Sequence, residues 1–175
     1  MEDADIIWEE SMSVSFDDVT VDPEIIQNMK RVITLSVVNG IDNSYGLLAK
    51  KNLRGALLYG PPGTGKTHLA QAVARDSQAN MIAINPSAIL APHVGDSEAL
   101  IKALFSLATK LSPCVIFVDE ADSLFRRRKS SDKSWERSLI NEFLQQIEEI
   151  HTKKDDAPFI LLATNRPADI DDGIL

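Results

Sequence analysis

A three-layer α/β sandwich, with a parallel sheet between two layers of helices, follows from three features of this 175-residue sequence. Short apolar runs alternate with long amphipathic stretches, the pattern of strands joined by crossover helices. One run, "PCVIFVDE" at 113–120, is almost unbroken in its hydrophobicity, as befits a strand buried on both faces. Another, "GALLYG" at 55–60, is bounded by glycines and feeds a glycine-rich turn that opens a helix. With 44% hydrophobic residues, the chain can close one core, with or without a short extension.

Residues 1–22 are acidic and weakly periodic, and read as an extension or linker ahead of a domain spanning 23–175. Pro23 suits a first helical turn. In "PEIIQNMKRVITLSVVN", Ile25, Ile26, Met29, Val32 and Ile33 recur at helical spacing, and Gly40 suits the helix end. "GALLYG" is the first core strand. "KTHLAQAVARDSQ" is a helix with Leu69, Ala70, Val73 and Ala74 on one face, and "NMIAIN" is the next strand. "DSEALIKALFSLATKL" is a helix with Asp96 or Ser97 as its cap. After the strand in "PCVIFVDE", the stretch "DKSWERSLINEFLQQIEEI" is a long helix turning Leu139, Ile140, Phe143, Leu144 and Ile147 inward. "PFILLATN" is a fourth strand, and "DIDDGIL" looks like the start of another helix. No internal repeat occurs.

The formal net charge of −8 disfavours a protein that holds nucleic acid by general electrostatics. A lone cysteine, Cys114, has no internal partner, which points to a reducing compartment. No apolar run approaches the ~20 residues that span a bilayer, so membrane association would have to come through segments outside this chain. The acidic start "MEDADIIWEE" resembles neither a signal peptide nor a transit peptide.

Three motifs carry chemistry. "GPPGTGKT" at 60–67 fits the phosphate-loop pattern in its required context, after a strand and at the head of a helix. Gly60, Pro61, Pro62, Gly63, Thr64 and Gly65 would curl the backbone so that its N–H groups face phosphate oxygens, aided by the helix dipole. Lys66 would reach the β- and γ-phosphates, Thr67 would ligate Mg²⁺, and His68, next on the helix, is a further nucleotide-binding candidate. "VIFVDE" ends a strand in two carboxylates. Asp119 would hold Mg²⁺, directly or through water, and Glu120 would orient and deprotonate the attacking water. "LLATNRP" ends the fourth strand. Asn165 could hydrogen-bond that water or the γ-phosphate if its strand lies between the other two. On local sequence alone, a capping or turn asparagine is the commoner reading.

Together, "GALLYGPPGTGKTHLAQAVA", "LSPCVIFVDEADSLF" and "ATNRPADIDDGIL" resemble the AAA+ ATPases, most closely the clade of katanin, spastin and the outer-mitochondrial-membrane protein-extraction ATPases. "FSLATKLSP" and "NEFL" look most like the last of these. The resemblance spans roughly residues 16–175. It implies a phosphate-loop NTPase sheet in the order 5-1-4-3-2, counted from the phosphate-loop strand, with the fourth strand between the phosphate-loop and acid strands. It implies Asn165 as the sensor of the γ-phosphate. It also implies Mg²⁺-dependent ATP hydrolysis to ADP, a hexameric ring and a protein substrate that is remodelled, unfolded or extracted. "FDDV" at 16–19 is similar to the segment that packs on adenine, which makes Val19 a candidate base contact, although the family usually has glycine where this chain has Val21.

Two departures from the family pattern stand out. The family continues past "DDGIL" into trans-acting arginines, a fifth strand and a helical lid. This chain stops short of all three, so it is expected to be a mostly monomeric, nearly inactive piece; Arg166 belongs to "TNRP" and is not one of those arginines. The second departure is the pore loop, where the family usually presents a basic residue, an aromatic, an apolar residue and glycine. Here Pro92, His93, Val94 and Gly95 occupy those positions. His93 is either a weak grip on substrate or an ordinary exposed histidine. The altered loop raises a second reading, a nucleotide-gated scaffold subunit that binds ATP without threading substrate. "FRRRKSSDKSWER" at 125–137 is either a solvated loop or a neighbour contact through Arg126, Arg127 and Arg128, and the partner of Trp135 is open.

Overall fold

A computed structural model describes residues 4–7, 12–19, 21–37, 55–90, 96–126, 134–152 and 157–171. Strands β1 (Ala4–Ile7), β2 (Gly55–Tyr59), β3 (Asn80–Ile84), β4 (Cys114–Val118) and β5 (Phe159–Thr164) form one sheet in the order β1-β3-β4-β5-β2. The four strands β3, β4, β5 and β2 are parallel, and β5 lies between the phosphate-loop strand β2 and the acid strand β4. The expected order of these four strands therefore holds.

Helices α1 (Pro23–Val37), α2 (Lys66–Asp76), α3 (Pro86–Ile89), α4 (Asp96–Lys110), α5 (Ala121–Leu124) and α6 (Ser134–Thr152) connect and cover the strands. Strands β4 and β5 are buried along their whole length, as their unbroken apolar runs require. The sheet divides two cores. On one side, Ile101 and Phe105 of α4 and Leu139 and Phe143 of α6 pack against Ile116, Val118 and Ile160. Phe143 is the hub, with the Phe105 ring edge-on at 5.1 Å and the Phe125 ring tilted at 4.8 Å. On the other side, Leu69, Ala70, Val73 and Ala74 of α2 meet Val115, Phe117, Phe159 and Leu161. The periodicity of α2 thus reports its buried face correctly. In α1 Met29 is buried, but Ile25 is 48% exposed despite its helical spacing.

One feature differs from the sequence expectation. Within the stretch read as an extension, Ala4–Ile7 pairs antiparallel with β3, from Ala4 opposite Ile84 to Ile7 opposite Met81. Met12 is buried in the α2-side core and Phe16 packs against it. Four residues with acidic neighbours carry too little periodicity to announce a strand; the free edge of β3 supplies the pairing instead. At the other end, Pro167–Asp169 forms a single 3-10 turn, and most of the stretch "DIDDGIL" expected to begin a helix lies outside the described residues. Beyond it, Asp171 N–H donates to Phe125 O at 2.8 Å, so this segment folds back on the loop after α5.

Candidate active site

The parallel strands deliver three loops to their common C-terminal end, the place where open α/β sheets bind ligands. The loop after β2 is the phosphate loop. Gly63 and Gly65 adopt φ of +77° and +81°, where a side chain would be strained although nothing lies within 4 Å of an added Cβ. The constraint at these two positions is therefore conformational, not steric crowding. Gly65 is also the N-cap of α2 and offers no side chain to cap its amides, which leaves the helix start suited to an anion. Thr64 Oγ1 donates to Pro61 O at 2.9 Å and tightens the loop.

Lys66 Nζ donates to Gly60 O and Pro61 O, each at 3.0 Å, and to Asn165 Oδ1 at 2.7 Å. An ammonium carries three N–H donors, so this arrangement uses all of them. Asn165, just after β5, spends its side-chain oxygen on Lys66, and the 3-10 turn that follows has Arg166 at its N-cap with no side-chain cap bond. The local expectation of a capping asparagine is thereby replaced by a link to the phosphate loop. It escaped local reading because Lys66 lies far away in sequence.

The loop after β4 brings the two carboxylates. Thr67 Oγ1 donates to Asp119 Oδ2 at 2.9 Å, and Asp119 Oδ1 accepts the Glu120 N–H at 2.9 Å. These hard oxygen donors are of the class Mg²⁺ prefers. Among the described residues no group of three or more His, Cys, Asp or Glu could hold a metal unaided, so magnesium at Thr67 and Asp119 would need phosphate and water oxygens as well. Glu120 is exposed and sits in the left-handed region at φ 47°, ψ 43°, as N-cap of α5. Strain of this kind clusters at functional sites. Ser123 N–H and Ser123 Oγ–H both donate to Glu120 O at 2.8 Å and hold it there.

The remaining sequence candidates are distributed as follows. His68 is exposed on the first turn of α2. Val19 closes a 3-10 turn, Phe16–Asp18, and packs partly buried against the α2-side core. Asp18 accepts Ser15 N–H at 2.8 Å and Ser15 Oγ–H at 2.9 Å, and these two bonds hold its carboxyl below the ordinary aspartate value. Arg126 bridges to Ile170. Pro92, His93, Val94, Gly95, Arg127 and Arg128 lie outside the described residues. Two further residues, Asp122 and Thr164, were passed over in the sequence. Thr164 Oγ1 donates to Asp122 Oδ1 at 2.5 Å, and the signal available was their place inside "VDEAD" and "LLATN".

A phosphate loop, an acid-tipped neighbouring strand and an asparagine on the strand between them define a nucleotide-binding ATPase domain of the AAA type. The family model for the ATPase family associated with various cellular activities (AAA) matches residues 56–175, and the chain belongs to that family. It is 37% identical over 169 residues to spastin of Sus scrofa, an alignment covering 97% of this chain and 27% of that protein. It is 38% identical over 169 residues to spastin of Dictyostelium discoideum, covering 97% of this chain and 25% of that protein. The crystal structure of the FIGL-1 AAA domain in complex with ADP superposes with a TM-score of 0.77 at 30% identity, covering 98% of this chain and 54% of that one. The chain thus spans about a quarter of the length of these spastins and about half of the solved domain.

Proposed function

We propose that this chain binds ATP with Mg²⁺ at the phosphate loop, hydrolyses it, and acts as the motor module of a ring that remodels a protein substrate. The observation that carries this reading is the convergence of Lys66, Thr67, Asp119, Glu120 and Asn165, from three separate loops, at one end of the sheet. Phosphoryl transfer asks the protein mainly for positioning and charge stabilisation, and each of these residues has a part in that work. The amides at the start of α2 and the Lys66 ammonium neutralise phosphate oxygens. Thr67 and Asp119 would hold the metal, which when bound would supply positive charge beside the phosphates. Glu120 orients the attacking water and takes its proton. Asn165 donates its amide to the γ-phosphate or that water.

Membership of the family supports a hexameric ring and a protein substrate as the setting for this chemistry. The sequence "PHVG" favours one alternative, a subunit that binds ATP as a conformational gate without gripping substrate. The binding step is tested by calorimetric titration of ADP into wild type and Lys66→Ala. Wild type should bind and the variant should lose measurable binding. Equal affinity would remove Lys66, and with it the phosphate-loop assignment.

A further inference from the structure

We infer that Thr164 and Asp122 are positioning residues for hydrolysis, forming a part-buried tie that fixes Asn165 relative to Glu120. The inference rests on the ATPase reading above. Thr164 is the last residue of β5 and is 1% exposed, a polar residue inside an otherwise apolar strand end. A buried hydroxyl costs stability unless its hydrogen-bonding capacity is met. Here both halves of that capacity are used: Thr164 Oγ1 donates to Asp122 Oδ1 and accepts the Arg166 N–H at 2.9 Å. The Thr164 carbonyl in turn accepts the Gly60 N–H at 3.3 Å. One residue therefore touches the first residue of the phosphate loop, the helix that follows the acid strand, and the backbone beyond Asn165.

The tie has a geometric consequence. Asp122 stands two positions after Glu120 on α5, whose first turn is anchored by the two Ser123 bonds to Glu120 O. Asn165 is flanked by Thr164 and Arg166, both ends of the Thr164 Oγ1–Arg166 N–H bond, so its backbone cannot swing without breaking that bond. The Thr164–Asp122 bond joins these two small rigid units across the β4–β5 pair. Water activation needs Glu120 on one side of the attacking oxygen and Asn165 near the γ-phosphate, in register to a fraction of an ångström. A carboxylate accepting from a hydroxyl that itself accepts from an amide makes a mutually polarising chain, well suited to holding that register.

The test uses the full-length protein with four substitutions, read by phosphate release, ATP calorimetry and amide hydrogen exchange. Thr164→Val keeps the shape and removes the hydroxyl; kcat should fall about 10–100-fold. ATP affinity should stay within about threefold, and the Arg166 amide, deprived of its acceptor, should exchange at least about tenfold faster. Thr164→Ser should bring kcat back to within about threefold of wild type. Asp122→Ala should repeat the Thr164→Val loss, whereas Asp122→Asn, whose amide oxygen still accepts, should recover most of it. A Thr164→Val protein with wild-type turnover would overturn the inference while leaving the ATPase reading intact. So would a Thr164→Ser protein as slow as Thr164→Val, since the methyl and not the hydroxyl would then matter. A wild-type protein that binds no ATP and releases no phosphate would instead overturn the ATPase reading, and the inference with it.

Discussion

Lys66 Nζ and Asn165 Oδ1 lie 2.7 Å apart, joined by a hydrogen bond across 99 positions of sequence. Lys66 also donates to two phosphate-loop carbonyls. A nucleotide that recruits the ammonium must therefore exchange protein acceptors for phosphate oxygens. The exchange is favourable because a phosphate oxygen is anionic and pairs with the ammonium charge, whereas the three acceptors it replaces are neutral oxygens. On the proposed reading, release of Lys66 would also free Asn165 to turn its amide toward the γ-phosphate, coupling nucleotide binding to its sensing.

Asn165→Ala separates those two consequences. Binding should stay within about threefold of wild type, since the variant loses an acceptor that competes for Lys66. Hydrolysis should fall by about 10²–10³-fold, the cost of removing one preorganised donor from a developing charge. Calorimetry and phosphate release on the same preparation give both numbers. A parallel loss of affinity and turnover would mean that Asn165 mainly holds the loop.

Asp119→Asn addresses the metal. Thr67 Oγ1 donates to Asp119 Oδ2, so the two side chains proposed to hold Mg²⁺ stand together. In wild type, ATP affinity should rise when Mg²⁺ replaces chelator, and in Asp119→Asn the Mg²⁺ requirement should shift upward roughly 10–100-fold. Titrating Mg²⁺ at fixed ATP measures this directly. An unchanged Mg²⁺ requirement would remove Asp119 from the metal site.

The one cysteine gives a pH prediction of known sign. Cys114 begins β4 at 2% exposure, and burial pushes its thiol up from 9.0 to about 12. The unfolded chain therefore gives up this proton at lower pH than the native protein. The resulting contribution to stability is complete below pH 9 and is lost as pH rises from there toward about 12. Denaturant midpoints for wild type should fall over that window more steeply than for Cys114→Ala. At pH 8 a thiol-alkylating reagent should label Cys114 only as fast as the protein opens, a rate that denaturant raises.

The parallel sheet and the phosphate loop were legible because each rests on a local pattern. Apolar runs mark β4 and β5, glycines at 63 and 65 mark backbone that only they adopt without strain, and the face of α2 follows from its spacing. What escaped depends on partners distant in sequence. The strand Ala4–Ile7 exists because β3 offers it an edge. Asn165 reads locally as a cap, and only the family resemblance assigns it to the nucleotide; no local pattern marks the bond from Thr164 to Asp122. Ile25 shows the opposite error, a position with the right helical spacing that is nonetheless exposed in the first turn of α1.

The central claim is that Glu120 activates water against an ATP held by the phosphate loop, and one comparison tests it most directly. Full-length wild-type and Glu120→Gln proteins are assayed side by side for ATP affinity and phosphate release. Glutamine preserves size and can still accept a hydrogen bond from water, but it cannot take the proton. The account predicts ATP affinity within about threefold of wild type and phosphate release slowed by at least about 10²-fold. A Glu120→Gln protein that binds ATP and releases phosphate at the wild-type rate would contradict it.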